Sequence, residues 1–272
     1  MINNIRYFFV ALACTLTVSS CSDYQKVLKN EDVKAKYDMA QLFYEQEDYK
    51  RASRLYEQIL PRYRGKPQGE RITFFYANSL LKTKNYFLAA YQFETFQKAF
   101  PKSDKLGEAL YNEAYCYFVD SAIYSLDQSS TVQALDKLQE FINRHPDSEL
   151  MPEANNMAQN LQYKLEKKAF EIAKQYNTIR DYKAAIVSLN SFISNYPGTP
   201  FREDALFYQF ESSYHLGVNS VQSKKYERLK NAQKIYDKFV RYYPESEYTE
   251  KSSEMMQTIA EEITKFVPTK KS

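Results

Sequence analysis

Glycine is scarce in this chain, with five residues in 272, tryptophan is absent, and histidine occurs twice. So little glycine argues against a phosphate-cradling loop, and neither a Gly-x-Ser-x-Gly elbow nor a His-Glu-x-x-His pair is present. His145 and His215 have no cysteine or histidine at metal-ligand spacing, so neither a metal nor another cofactor is expected. Scattered carboxylates such as Glu261 and Glu262 fit a solvated helix face better than an acid/base dyad, and an enzyme is not expected. The absence of tryptophan counts against a sugar-binding platform, because sugar faces often stack on that ring. Lysine and arginine (37) nearly balance aspartate and glutamate (34), which excludes the strong basic excess of a nucleic-acid binder. Beyond the first twenty residues no window supplies the ~20 apolar residues that a membrane-spanning helix requires.

The N-terminus has its own grammar. Arg6 precedes an apolar stretch from Tyr7 to Val18, and the small residues Ser19 and Ser20 stand directly before Cys21. That order is the pattern of a secretory signal, and the cysteine after the small residues resembles a bacterial lipobox. The expected reading is a lipoprotein signal peptide over 1–20, with diacylation at Cys21. A lipidated polar tether over 21–30 would reach roughly 33 Å if extended. Ser22 followed by Asp23 resembles lipoproteins forwarded to the outer membrane. With Cys14 removed and Cys21 lipidated, Cys116 is the one remaining thiol; an intrachain disulfide is then impossible, and Cys116 reads as a small buried apolar residue.

What is abundant is aromatic residue, 25 Tyr and 18 Phe, arranged in repeats. Aligned on Ala52, Ala89, Ala134, Ala185 and Ala232, five segments match one another. Four places on stand Tyr56, Phe93, Leu138, Leu189 and Tyr236, and seven places on Ile59, Phe96, Phe141, Phe192 and Phe239. Eleven places on come Tyr63, Phe100, His145, Tyr196 and Tyr243, so all these offsets share one helical face. Pro101, Pro146, Pro197 and Pro244 follow directly and end the helix; Arg64 replaces the proline in the first segment. Two places beyond each proline, Ser103, Ser148, Thr199 and Ser246 are suited to accept a free amide at the start of the next helix. Ala40, Ala77 and Ala173, twelve places before a reference alanine, would let paired helices approach closely. Asp48-Tyr49-Lys50, Asn85-Tyr86 and Asp181-Tyr182-Lys183 mark tight turns within the hairpins.

These features resemble the tetratricopeptide repeat, lengthened beyond its usual 34 residues. The implied fold is all-α, a superhelical stack of about five helix hairpins closed by a C-terminal capping helix over Glu247–Phe266. Extra length is expected in extended helices and loops, such as Asp120–Ser130 and Val218–Glu227. Residues 31–126 form an expected N-terminal half, 127–266 a C-terminal half, and 267–272 a frayed tail.

The lipobox, the five repeats and the recurrent ends Phe100-Pro101-Lys102-Ser103, His145-Pro146-Asp147-Ser148, Tyr196-Pro197-Gly198-Thr199 and Tyr243-Pro244-Glu245-Ser246 together resemble the BamD family of outer-membrane assembly lipoproteins. That resemblance implies a subunit of the β-barrel assembly machinery, anchored in the outer membrane by its lipid and facing the periplasm. Its implied partners are a barrel insertase of the BamA type on the C-terminal repeats, unfolded outer-membrane proteins on the N-terminal repeats, and other assembly subunits. Read from the residues themselves, Arg62, Arg64, Lys66 and Arg71 lie among Tyr63, Phe74, Phe75 and Tyr76. Cations beside apolar rings suit a peptide that ends in an aromatic residue and a free carboxylate, so Arg62, Tyr63, Arg64 and Arg71 are the candidate client pocket. A tetratricopeptide scaffold serving envelope maintenance, and a glycan-binding lipoprotein, remain open alternatives.

Overall fold

The computed structural model describes residues 23–266, and within them it is helical, with twelve helices and no strand. The signal segment, Cys21 and the tail with Lys270 and Lys271 lie outside the described residues. A short helix α1 (23–29) precedes five hairpins. These are α2/α3 (Val33–Glu45, Tyr49–Tyr63), α4/α5 (Pro67–Lys82, Tyr86–Ala99), α6/α7 (Leu106–Asp120, Ser129–Arg144), α8/α9 (Met151–Thr178, Tyr182–Asn195) and α10/α11 (Arg202–Val218, Gln222–Tyr242). A final helix α12 spans Thr249–Thr264, the position expected for the cap.

Small residues set the helix seams. Ala40, Ala52, Ala77, Ala89, Ala134, Ala185 and Ala232 are fully buried, and the large residues four and seven places after each reference alanine fill the space between the helices. Side-chain caps start several helices: Asp32 accepts from the Lys34 and Ala35 amides, Asp48 from Arg51 and Asp181 from Ala184. Each such cap contributes about 1 kcal/mol. In three turns the residue before the helix-starting Asp or Asn adopts a left-handed conformation although none is glycine: Glu47 (φ 60°), Lys84 (62°) and Arg180 (65°). The amides of Glu47 and Asp48 bond back to Tyr44 and Phe43, and those of Lys84 and Asn85 to Leu81 and Leu80, which satisfies carbonyls at the helix ends.

Between hairpins, four links have one construction. The segments 100–105, 145–150, 196–201 and 243–248 each carry the proline in second place. The hydroxyls of Ser103, Ser148, Thr199 and Ser246 accept the amides of Lys105 (3.0 Å), Leu150 (3.2 Å), Phe201 (3.3 Å) and Tyr248 (3.1 Å). Each hydroxyl thus accepts an amide as read from the repeat, but it is the amide of the residue just before the helix, and the helices starting at Leu106, Arg202 and Thr249 carry no side-chain cap bond of their own. The first link, 64–66, is half as long.

The described residues fall into two compact units, one of 23–122 with 127–161 and the other of 123–126 with 162–266. This division lies within α8. The physical reason is that Ala154, Met157 and Leu161 of α8 bury themselves with Leu110, Ala114, Leu138 and Phe141 of the third hairpin. In the second unit Phe170 and Ala173 of α8 pack with Leu189, Phe192, Leu206 and Phe207.

The extra repeat length resides in extended helices, α8 (28 residues) and α11 (21 residues), as expected; of Val218–Glu227 only 219–221 is loop, because the following residues hold no helix breaker and join α11. The loop after Asp120 is present as expected, over 121–128. The stretch read as an extended tether is also helical over 23–29. Tyr24 is buried against Phe43 (ring centroids 5.5 Å apart, edge to face), with the Arg51 guanidinium over both rings, so the reach left to the N-terminus is shorter than an extended chain allows.

Candidate functional site

The first link decides where the candidate pocket residues go. Tyr63 ends α3, Gly65 turns the chain at φ +75°, and Pro67 opens α4 where its missing amide costs nothing. Two turn bonds hold the link, from the Lys66 amide to the Tyr63 carbonyl (3.0 Å) and from the Gly69 amide to the Lys66 carbonyl (2.9 Å). Only a glycine fits at 69, since a Cβ there would stand 2.4 Å from the Tyr63 carbonyl oxygen.

Around this link the structure splits the four candidates. Tyr63 and Arg64 line a small cavity of about 130 Å³, together with Leu60, Thr73, Tyr91 and Gln92 among others. Arg62 is exposed and lines neither cavity, and Tyr76 is core, with its phenol pushed up to about 12 by burial. Arg71 belongs to a separate groove of about 310 Å³, lined by Pro67, Glu70, Phe74, Phe75, Phe96 and Lys105.

That second groove has the composition a carboxylate-ended peptide requires. The Arg71 guanidinium lies 5.2 Å from the Phe75 ring and the Lys105 ammonium 5.5 Å from the Phe74 ring. The rings are held in place from behind, Phe74 on Phe96 (5.3 Å) and Phe75 stacked on Tyr44 (4.5 Å). Ser103 ties the rim together: its hydroxyl donates to Glu70 (2.6 Å) while accepting the Lys105 amide. Lys105 pairs with Glu108 at 3.0 Å, whereas Arg71 makes no ion pair among the described residues. The arrangement offers an apolar floor, one unneutralised guanidinium and a second cation, which suits an aromatic side chain beside a carboxylate. Sequence reading missed Lys105 and Phe96, which reach this groove from the second repeat and the link after it. The Phe100-Pro101-Lys102-Ser103 end was a usable signal, because it places Lys105 at the start of the next helix.

Elsewhere the polar residues are structural. Cys116 is buried, and burial raises its thiol to about 12. His145 stacks on Phe141 at 5.7 Å, the packing role read for it. In the second unit a polar cavity of about 490 Å³ is lined by Asn177, Arg180, Tyr182, Glu211, His215 and Asn219, among others. His215 stacks on Tyr182 (5.0 Å), burial lowers its pKa, and Glu211 pairs with Lys251 at 2.8 Å.

Comparison with known proteins adds the following. The family model described as "YfiO: Outer membrane lipoprotein" matches residues 29–229. A curated relative from Caulobacter vibrioides, outer membrane protein assembly factor BamD, is 27% identical over 126 residues. That alignment covers 46% of this chain and 41% of the relative's length. A crystal structure of a Podosopora anserina kinesin light chain protein with nearly identical TPR-like repeats aligns over 77% of this chain and 96% of its own, at 13% identity and a TM-score of 0.34.

Proposed function

Since the chain belongs to the YfiO family of outer membrane lipoproteins, we propose that it is a non-enzymatic subunit of the machinery that folds and inserts outer-membrane β-barrel proteins. In this reading Cys21 carries the lipid, the body faces the periplasm, and the first unit receives the C-terminal segment of an unfolded client. The second unit docks a barrel insertase of the BamA type. The observation that carries the client reading is the groove in which Arg71 and Lys105 stand over Phe75 and Phe74.

The residues assign the work as follows. Phe75 and the edge of Phe74, backed by the fully buried Phe96, take the aromatic side chain of the client's last residue, and Arg71 takes its terminal carboxylate. Lys105 supplies a second positive charge, already shared with Glu108. Binding of this kind needs no bond-making chemistry; it requires a preformed surface, which the ring contacts behind Phe74 and Phe75 provide.

A C-terminal peptide ending in phenylalanine tests this by titration. Arg71→Ala should weaken binding about tenfold or more, as expected for loss of a charge-assisted contact to a carboxylate, and amidating the peptide should have a similar effect. Unchanged affinity in both cases would remove the groove from the mechanism. For the partner, affinity purification of the lipidated protein from detergent-solubilised envelopes should recover a barrel insertase with periplasmic repeat domains. Recovery of peptidoglycan-linked proteins without an insertase would refute the assembly role. Lipidation itself is checked by labelled palmitate, which should enter the wild type and not Cys21→Ser.

A further inference from the structure

We propose that the edge of the first unit formed by the turns of its first two hairpins rests on the lipid surface, with Phe87 entering the interface and Lys82 and Lys84 meeting anionic headgroups. The proposal rests on the reading of Cys21 as the lipid-bearing residue, and adds to it the face of the protein that the anchor holds against the membrane.

Covalent geometry fixes where the anchor leaves the body. Cys21 stands two places before Asp23, the first residue of α1, so the two Cα atoms are within about 7 Å of each other. The helix α1 is itself held. Tyr24 is buried edge-on against Phe43 in the last turn of α2, and the guanidinium of Arg51, in the first turn of α3, lies 5.5 and 5.2 Å from the two rings. Val27 and Leu28 pack against the same core. The lipid is therefore attached beside the turn of the first hairpin.

The turn of the second hairpin lies on the same edge. After the short link, α4 runs back along α3: Tyr56, seven places before the end of α3, meets Phe75, eight places into α4, with ring centroids 6.3 Å apart. Continuing this antiparallel register brings Lys82, the last residue of α4, level with Tyr49, the first of α3, close to where Tyr24 packs. So short a connection to the lipid keeps this edge nearest the headgroups. Pro67 and Lys105 of the client groove stand at the links, at the other ends of the same helices.

The second turn has the composition of an interfacial contact. Phe87, the second residue of α5, is 85% exposed. Lys82 and Lys84 are exposed and make no ion pair among the described residues, and no acidic residue occurs from Lys82 to Phe93. A single exposed ring is ordinary on a protein surface. One flanked by unneutralised cations, on the edge that carries a lipid anchor, matches a bilayer surface, where the ring reaches the acyl boundary and the ammonium groups stay with the phosphates. In the first turn Glu45 and Glu47 stand exposed beside Lys50, so the charges there nearly balance and the contact falls to the second.

The chain contains no tryptophan, so Phe87→Trp places a single fluorophore at the contact. The lipidated protein is reconstituted in vesicles of phosphatidylethanolamine and phosphatidylglycerol, with and without brominated acyl chains. Emission from Phe87→Trp should move to shorter wavelength and be quenched by the bromines. Emission from Lys102→Trp should do neither, since the 14 residues of α5 hold that link about 21 Å away. Adding Lys82→Glu and Lys84→Glu to Phe87→Trp should lower the docked-to-undocked ratio about 25-fold or more, at about fivefold for each lysine. Arg71→Ala should leave the quenching unchanged. Flotation of the vesicles separates the two readings. Protein that floats while the fluorophore of Phe87→Trp is unquenched, or is quenched no more than that of Lys102→Trp, overturns the docking and leaves the anchor at Cys21 standing; protein that does not float removes both. A benzoylphenylalanine introduced at position 87 that cross-links to a protein in envelopes, without quenching of Phe87→Trp in vesicles, would give the ring to a protein partner and overturn the proposal as well.

Discussion

Replacing Lys137 with methionine should strand a charge in the middle of the first unit. Glu113 is fully buried on α6; its carboxylate sits 3.0 Å from the Lys137 ammonium on α7, and Gln97 of α5 donates to its other oxygen at 2.6 Å. Burial raises the Glu113 pKa above its ordinary 4.5, with Lys137 and Gln97 pulling the other way. For two charges 3.0 Å apart the attraction is about 5 kcal/mol at an effective dielectric of ~20. Desolvation offsets part of it, and the Lys137 side chain keeps 27% exposure, so the expected loss on breaking the pair is about 3 kcal/mol, the lower end for buried pairs.

The pH dependence gives the test its discrimination. A carboxyl whose folded pKa is raised favours the folded state when protonated, and loses that advantage as pH rises from its unfolded value through its folded one. Below that window Glu113 carries a proton and Lys137 has no charge to meet. Urea unfolding should therefore show Lys137→Met destabilised by about 3 kcal/mol at pH 8 and by well under half of that near pH 4. Adding Glu113→Gln to the variant should recover most of the loss at pH 8. An equal loss at the two pH values, or no recovery in the double variant, would refute the reasoning.

Three further outcomes follow from other sites. Gly69→Ala should lower stability by about 2 kcal/mol, measured by thermal melting, because its Cβ meets the Tyr63 carbonyl oxygen at 2.4 Å and the chain must shift. Lys84→Gly should raise stability by about 0.5 kcal/mol, relieving a left-handed residue at φ 62° against the backbone freedom glycine adds; destabilisation there would mean the Lys84 side chain has a role beyond the turn. Cys116 should resist thiol reagents at pH 8 until the protein unfolds, since burial both hides it and raises its pKa to about 12; rapid labelling of the folded protein would contradict the packing of α6.

Much of the fold was legible because its signals are local. The alanine seams, the large residues at fixed offsets and the aromatic-proline ends each act within a few turns of helix; the first two reappear as packed positions and the last as helix stops. The long α8 was legible in principle, since Met151–Thr178 has no glycine and no proline after Pro152 at its first turn. Left-handed residues at Glu47, Lys84 and Arg180 were not, because nothing in their side chains marks that conformation and only the helices on either side force it. For the site, the clustering of cations and aromatics around the first link was visible. Its division into two cavities was not, because Lys105 and Tyr91 arrive through tertiary packing from other parts of the chain.

The division traces to one irregularity, the length of the first link. In the other four, six residues separate the helices, and proline with a hydroxyl that accepts the amide two residues on builds the turn. With 64–66 alone, α4 begins close to the end of α3, the Tyr63 carbonyl presses on Gly69, and the small cavity is left between them. If this account holds, Gly69 is required by the short link and not by α4 itself. Replacing 64–66 with the segment Pro101-Lys102-Ser103-Asp104-Lys105 copied from the second link should move the carbonyl away. In that background Gly69→Ala should cost nothing, or gain up to about 1 kcal/mol from helix propensity, while the same change in the natural chain remains destabilising. An equal penalty in both backgrounds would place the constraint elsewhere, in the packing of Gly69 near Phe100, and would separate the origin of the cavity from the missing proline.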